Sequence, residues 1–113
     1  MIGGYTGKML IIDLNNQATS IEKTNLKDAK SFIGAKGLGA KILLDRLPKG
    51  INPLSPDNIL IFTTGPLTGT LAQTSGRGTV VTKSPLTDLF VDSHFGGVFA
   101  VEMKRAGWDI III

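Results

Sequence analysis

The residues with most to offer chemistry are Arg77, set between Gly76 and Gly78 after Ser75, and the run Asp92-Ser93-His94-Phe95-Gly96-Gly97. A guanidinium presents a planar fork of donors suited to flat or anionic groups, and flanking glycines let a backbone approach such a ligand closely. Gly96 and Gly97 stand at the expected mouth of a helix, where unpaired N–H groups and the helix dipole favour an anion such as phosphate. From spacing alone two readings stay open: a phosphate-bearing cofactor, or simple turn chemistry. His94 is the sole histidine. No serine or aspartate constellation completes a triad around it, and a lone histidine is more often structural than a ligand. Asp88, Asp92 and Asp109 do not form a metal-ligand spacing.

A second glycine-rich stretch, Gly34-Ala35-Lys36-Gly37-Leu38-Gly39, fits neither G-x-G-x-x-G nor the P-loop, because no Gly-Lys-Ser/Thr follows. It also lies between two helical pieces, where both motifs need a preceding strand. A flexible joint allowing close packing is its plainer reading. Glu102 with Lys104 or Arg105 reads as a solvated helix face.

The elements that must position these residues follow from local signals. Lys8 to Leu14 and Ala18 to Glu22 read as a hairpin across an Asn15-Asn16-Gln17 turn. Asn25 caps a helix with Asp28 near its start, Gly34 interrupts it, and a second helical piece runs from about Leu38 to Arg46. Asn58 to Thr63, Thr79 to Lys83 and Leu89 to Val91 read as strands. A helix of about ten residues, Val98 to Ala106, puts Val98, Val101 and Met103 on or near one face and stops at Gly107. Strands outnumber helices and run in antiparallel-looking order, so the expected class is α+β, a mostly antiparallel sheet with two or three short helices.

Bulk properties narrow the function classes. The 113 residues carry twelve basic and nine acidic side chains, a net charge of +3 too weak and scattered to argue for nucleic acid. There is no cysteine, which excludes disulfides, thiolate catalysis and cysteine-held zinc or iron-sulfur clusters on this chain. Met1-Ile2-Gly3-Gly4 lacks the charged start and apolar core of a leader, and no apolar run is long enough to span a bilayer, so a cytoplasmic protein without a membrane partner is expected.

Taken together the motifs are more specific than their parts. Phe32-Ile33-Gly34-Ala35-Lys36-Gly37-Leu38, Asn52-Pro53-Leu54-Ser55-Pro56-Asp57-Asn58, Gly65-Pro66-Leu67-Thr68-Gly69-Thr70, the run from Gly76 to Thr87, and Gly96-Gly97 leading to Glu102–Asp109 occur in one order. In that order they resemble the opening domain of the tungsten-containing aldehyde ferredoxin oxidoreductase family, over essentially the whole chain. The resemblance implies a domain on which a bis-pterin tungsten (or molybdenum) cofactor rests, in an enzyme that oxidises aldehydes to carboxylates and passes electrons through an iron-sulfur cluster to ferredoxin. It implies that Arg77 contacts the pterin and that the backbone of Gly96 binds it, with Phe95 and Gly97 alongside. His94 stands where some relatives carry an asparagine whose main-chain carbonyl helps hold the magnesium bridging the pterin phosphates. No catalytic residue is implied on this chain.

The family's N-terminal domain is longer and built from two similar halves, so residues 1–113 correspond to its first half. The final run Asp109-Ile110-Ile111-Ile112-Ile113 suits a strand buried on both faces. Left at an edge it would be bare and apolar. It therefore suggests either a longer protein or a covering partner, such as the remaining domains, a second subunit or a second copy of this chain. A non-catalytic module that carries the cofactor or aids assembly is the rival reading.

Overall fold

The computed structural model describes residues 3–113; Met1 and Ile2, part of the segment read above as no leader, lie outside the described residues. β1 (Lys8–Asp13) and β2 (Ala18–Lys23) form the expected hairpin, in register from Lys8↔Lys23 to Asp13↔Ala18. The Asp13 carboxylate shapes its turn by accepting the backbone N–H groups of Asn15 and Asn16, and Gln17 takes a φ of 52°. Asn25 caps α1 (Leu26–Phe32), accepting from the N–H groups of Lys27 and Asp28.

α2 (Ala35–Arg46) begins earlier than expected. The joint is only Ile33 and Gly34, and Lys36, Gly37 and Gly39 are helical. Two glycines lower helix propensity by about 1 kcal/mol each, but packing overrides that local cost. A Cβ on Gly39 would lie 2.9 Å from Val81 Cγ2 and 3.2 Å from Thr63 Cγ2, so glycine lets this helix lie directly on the sheet.

β3 (Ile61–Thr64), β4 (Gly78–Lys83), β5 (Phe90–Phe95), α3 (Phe99–Arg105) and β6 (Ile110–Ile112) complete the chain. The six strands form one sheet in the order β2-β1-β6-β3-β4-β5. Every pairing is antiparallel except β1 with β6, and the class is α+β as expected. α1 and α2 cover one face, where Ala29, Leu38, Ile42 and Leu43 pack on Met9, Ile61, Val81, Ile110 and Ile112. Burying each of the larger aliphatic side chains contributes about 1.5–3 kcal/mol.

Three expectations are corrected. The isoleucine run is no edge: β6 lies between β1 and β3, with Ile110 opposite Met9 and Thr63, and Ile112 opposite Ile11 and Ile61. Ile113 exchanges hydrogen bonds with Leu60 at 2.8 and 2.9 Å. The sheet's edges are β2 and β5, so this strand gives no ground for a covering partner or second copy. β5 is longer than expected, because pairing with β4 from Lys83↔Phe90 to Gly78↔Phe95 draws the polar run Asp92-Ser93-His94 into a strand. α3 is shorter, and it buries Ala100 and Met103 while Val98 lies outside it, 75% exposed. The Gly107 stop is as expected: with φ at 97° it donates to Lys104 O while Trp108 donates to Met103 O, the paired bonds of a Schellman turn.

Candidate functional site

One end of the sheet collects most of the residues singled out above. There β3 leaves into Gly65, β4 enters from Arg77, and β5 leaves into Gly96, while Gly7 and Asp109 precede the neighbouring β1 and β6. Gly78 pairs with Phe95, which brings Arg77 beside Gly96 although they lie far apart in sequence. The approach is close: a Cβ on Gly76 would sit 3.5 Å from the Gly97 carbonyl, and one on Gly78 would collide with Phe95 Cζ at 2.5 Å. Arg77 is exposed, and its guanidinium makes no ion pair among the described residues. Gly96 and Gly97 are exposed, and a Cβ on either would meet nothing within 4 Å. Gly97 holds a φ of 83°, which an L side chain adopts only with strain. Because α3 starts at Phe99 and has seven residues, these glycines precede the helix rather than open it.

His94 and Phe95 point their side chains elsewhere. The imidazole lies on the helix-covered side, with Nδ1 2.8 Å from the Thr79 hydroxyl and Nε2 3.3 Å from Asp92, which in turn pairs with Lys36 of α2 at 2.9 Å. Phe95 packs on the other face with Phe62 and Phe99, ring centroids 6.4 and 5.7 Å away. Arg77, Gly96 and Gly97 thus lie exposed at one end of the sheet, with Phe95 packed beneath Gly78 and the His94 ring engaged by Thr79 and Asp92.

Behind this surface stands a buried ion pair missed in the sequence. Asp109 is 1% exposed and accepts from the N–H groups of Thr6 and Gly7 at 2.9 and 2.7 Å, the Thr24 hydroxyl at 3.1 Å and Lys104 Nζ at 2.7 Å. Burial pushes the Asp109 carboxyl up, but Lys104 and the two N–H groups outweigh it and hold the group below the ordinary carboxylate range. Lys104 therefore does not belong to the solvated face read with Glu102 and Arg105; those two form an exposed pair at 2.7 Å. Lys104 also reaches the Gly65 carbonyl at 3.3 Å and stands 5.5 Å from the Tyr5 ring centroid. Burial and Asp109 raise the Tyr5 phenol above its usual value. One signal was available: an aspartate abutting four isoleucines must be buried beside them and needs a cation.

A concavity of about 480 Å³ lies at the opposite end of the sheet. It is lined mainly by Ile12, Leu14, Ile59, Leu60 and Ile113 and contains none of the expected site residues. Its lining holds no cationic side chain to pair with an anionic ligand, so it is the weaker candidate for one. Among the described residues no group of three or more histidine, cysteine or acidic side chains is placed to hold a metal ion. No helix among them is long and apolar enough to cross a membrane.

Known proteins share this fold. Residues 9–113 match the family profile of the aldehyde ferredoxin oxidoreductase N-terminal domain. The chain is 47% identical over 110 residues to the tungsten-containing aldehyde ferredoxin oxidoreductase of Pyrococcus horikoshii, covering 97% of this chain and 18% of that protein. It is 35% identical over 112 residues to an aliphatic sulfonate oxidoreductase, WOR-like subunit, of Pyrococcus furiosus, covering 96% of this chain and 18% of that protein. Among solved structures, the active-site complex BamBC of benzoyl coenzyme A reductase, in complex with 1,5-dienoyl-CoA, superposes with a TM-score of 0.95 at 42% identity, over 99% of this chain and 17% of that one. This chain therefore spans under a fifth of the length of those relatives, and it belongs to the aldehyde ferredoxin oxidoreductase family, whose N-terminal domain it matches.

Proposed function

We propose that this chain supplies part of the support for a bis-pterin tungsten cofactor, with molybdenum as the alternative metal, in an oxidoreductase that converts aldehydes to carboxylates. Arg77 would hold the pterin through its planar fork of donors, and the backbone of Gly96 and Gly97 would lie against the cofactor. The His94 imidazole is engaged by Thr79 and Asp92, so a role for His94 at the magnesium between the pterin phosphates rests on its main-chain carbonyl. Phe95 would act from behind, as packing that fixes Gly78 and hence the start of β4. When bound, the tungsten centre supplies the two-electron exchange with substrate.

The observation that carries this reading is the juxtaposition of Arg77, exposed and without an ion pair among the described residues, with two glycines facing open space. Such a surface fits a flat, anionic group: it offers donors and close backbone, and no side chain fills it. The chain's share of the work is to bind and orient, as proteins do for cofactors that carry the harder chemistry. Relatives with different substrates in their names share the domain, which fits a part that holds cofactor while residues elsewhere choose the substrate. The iron-sulfur cluster and the contact with ferredoxin would likewise lie outside this chain, which has no cysteine.

The test is the tungsten and pterin content of the complete assembly containing this chain. Arg77→Ala is expected to lower both while leaving the fold intact, the equivalent of about 1.5–3 kcal/mol for a charge-assisted contact. Arg77→Lys is expected to be nearly as harmful, because an ammonium offers no planar fork. Unchanged metal content in Arg77→Ala would count decisively against the assignment.

A further inference from the structure

We propose that Thr68 is a positioning residue for Arg77, its hydroxyl fixing the backbone that aims the guanidinium; the inference rests on the reading of Arg77 given above. β3 and β4 pair from Ile61↔Val81 to Thr64↔Gly78. One step further in that register Gly65 would face Arg77, and there the ladder stops. The Thr68 hydroxyl stands between the two, accepting from the Gly65 N–H at 2.9 Å and donating to the Arg77 carbonyl at 3.2 Å. A hydroxyl can do both at once, which an ammonium or a carboxylate cannot. Thr68 is 5% exposed, and its own N–H closes the turn onto the Gly65 carbonyl at 3.1 Å. That carbonyl also receives Lys104 Nζ, which is fixed by Asp109. The Arg77 carbonyl is thereby tied, through Thr68 and Gly65, to the ion pair at the back of the site.

Arg77 needs such a tie. Gly76 and Gly78 leave its flanking backbone permissive. Gly78 is held by the ladder and by Phe95, whereas Gly76 lies outside every strand. No ion pair among the described residues steers the guanidinium. The carbonyl anchor holds the Arg77 side of a peptide whose Gly78 side the ladder holds, and so limits the directions in which the side chain leaves.

The test is a double-mutant cycle on the complete tungsten-loaded assembly, read by tungsten and pterin content together with hydrogen exchange at the Gly65 amide. Thr68→Val keeps the shape and removes the hydroxyl. It is expected to lower cofactor content about tenfold and to speed Gly65 exchange, while Thr68→Ser restores both to within about twofold. In an Arg77→Ala background Thr68→Val is expected to cause no further loss, because the group it positions is gone. Additive losses in the double variant would overturn the proposal, since Thr68 would then act independently of Arg77. Full retention in Thr68→Val would overturn it as well. Full retention in Arg77→Ala, with Thr68→Val still losing cofactor, would instead sink the reading of Arg77 and this proposal with it. Should Thr68→Val not assemble, Thr68→Ala takes its place in the same cycle. Failure of both beside a normal Thr68→Ser would show a folding role and overturn the proposal.

Discussion

Two glycine-rich regions that look alike in sequence do opposite things in space. In α2 a Cβ on Gly37 would lie 2.6 Å from the Phe32 carbonyl, and one on Gly39 2.9 Å from Val81. At the end of the sheet, Gly96 and Gly97 face nothing within 4 Å. The first pair are glycine because protein already occupies the space, whereas the second leave space that protein does not use. The difference separates packing glycines from candidate ligand glycines without appeal to a motif. Gly78 belongs to the first kind although it sits beside Arg77, since Phe95 fills its space.

The open region is held from behind, so the largest effect is expected where that support is removed. Asp109→Asn leaves Lys104 buried without its counter-ion, a change that costs on the order of 3–5 kcal/mol. Denaturation of wild type and variant measures it. The Asp109 carboxyl lies below its ordinary value in the folded protein. Its share of stability is therefore present above the unfolded value near pH 3.9 and lost as pH falls through the lower folded one. The wild-type advantage over Asp109→Asn should accordingly persist at neutral pH and shrink only below about pH 4. An advantage that does not change on acidification would show that the carboxylate's charge is not what matters.

A smaller, paired effect tests the comparison itself. Gly39→Ala is expected to destabilise by about 1–3 kcal/mol, because Val81 and Thr63 are branched side chains in a packed layer and cannot yield easily. Gly96→Ala is expected to stay within about 0.5 kcal/mol, as for surface sites without special contacts, yet to lower tungsten content in the assembly. Equal unfolding midpoints for the two variants would erase the distinction between the regions.

Local signals in the sequence were legible and non-local ones were not. The β1–β2 turn, the Asn25 cap and the Gly107 stop are each decided by residues a few positions apart, and all three appear in the structure. The place of Ile110–Ile112 in the middle of the sheet depends on β1 and β3, which hydrophobic pattern alone does not pair. β5 extends beyond the expected Leu89 to Val91 because β4 holds Asp92 and Ser93, weak strand formers by themselves, in register. Arg77, Gly96 and Gly97 stand out in the sequence by their residue types, and the structure brings them to one end of the sheet. Their support does not stand out, because Lys104 meets Asp109 only through the Schellman turn, and Thr68 meets Arg77 only where two strands part.

The central claim is that Gly96, Gly97 and Arg77 face the cofactor. Backbone hydrogen exchange across residues 95–99 and 76–78, in the assembly purified with and without tungsten supplied, tests it most directly. Slower exchange on loading, confined to these two segments and absent from the packed Gly37–Gly39 region, is the result expected. Equal exchange in the two preparations, with the cofactor shown to be present in one, would contradict the account.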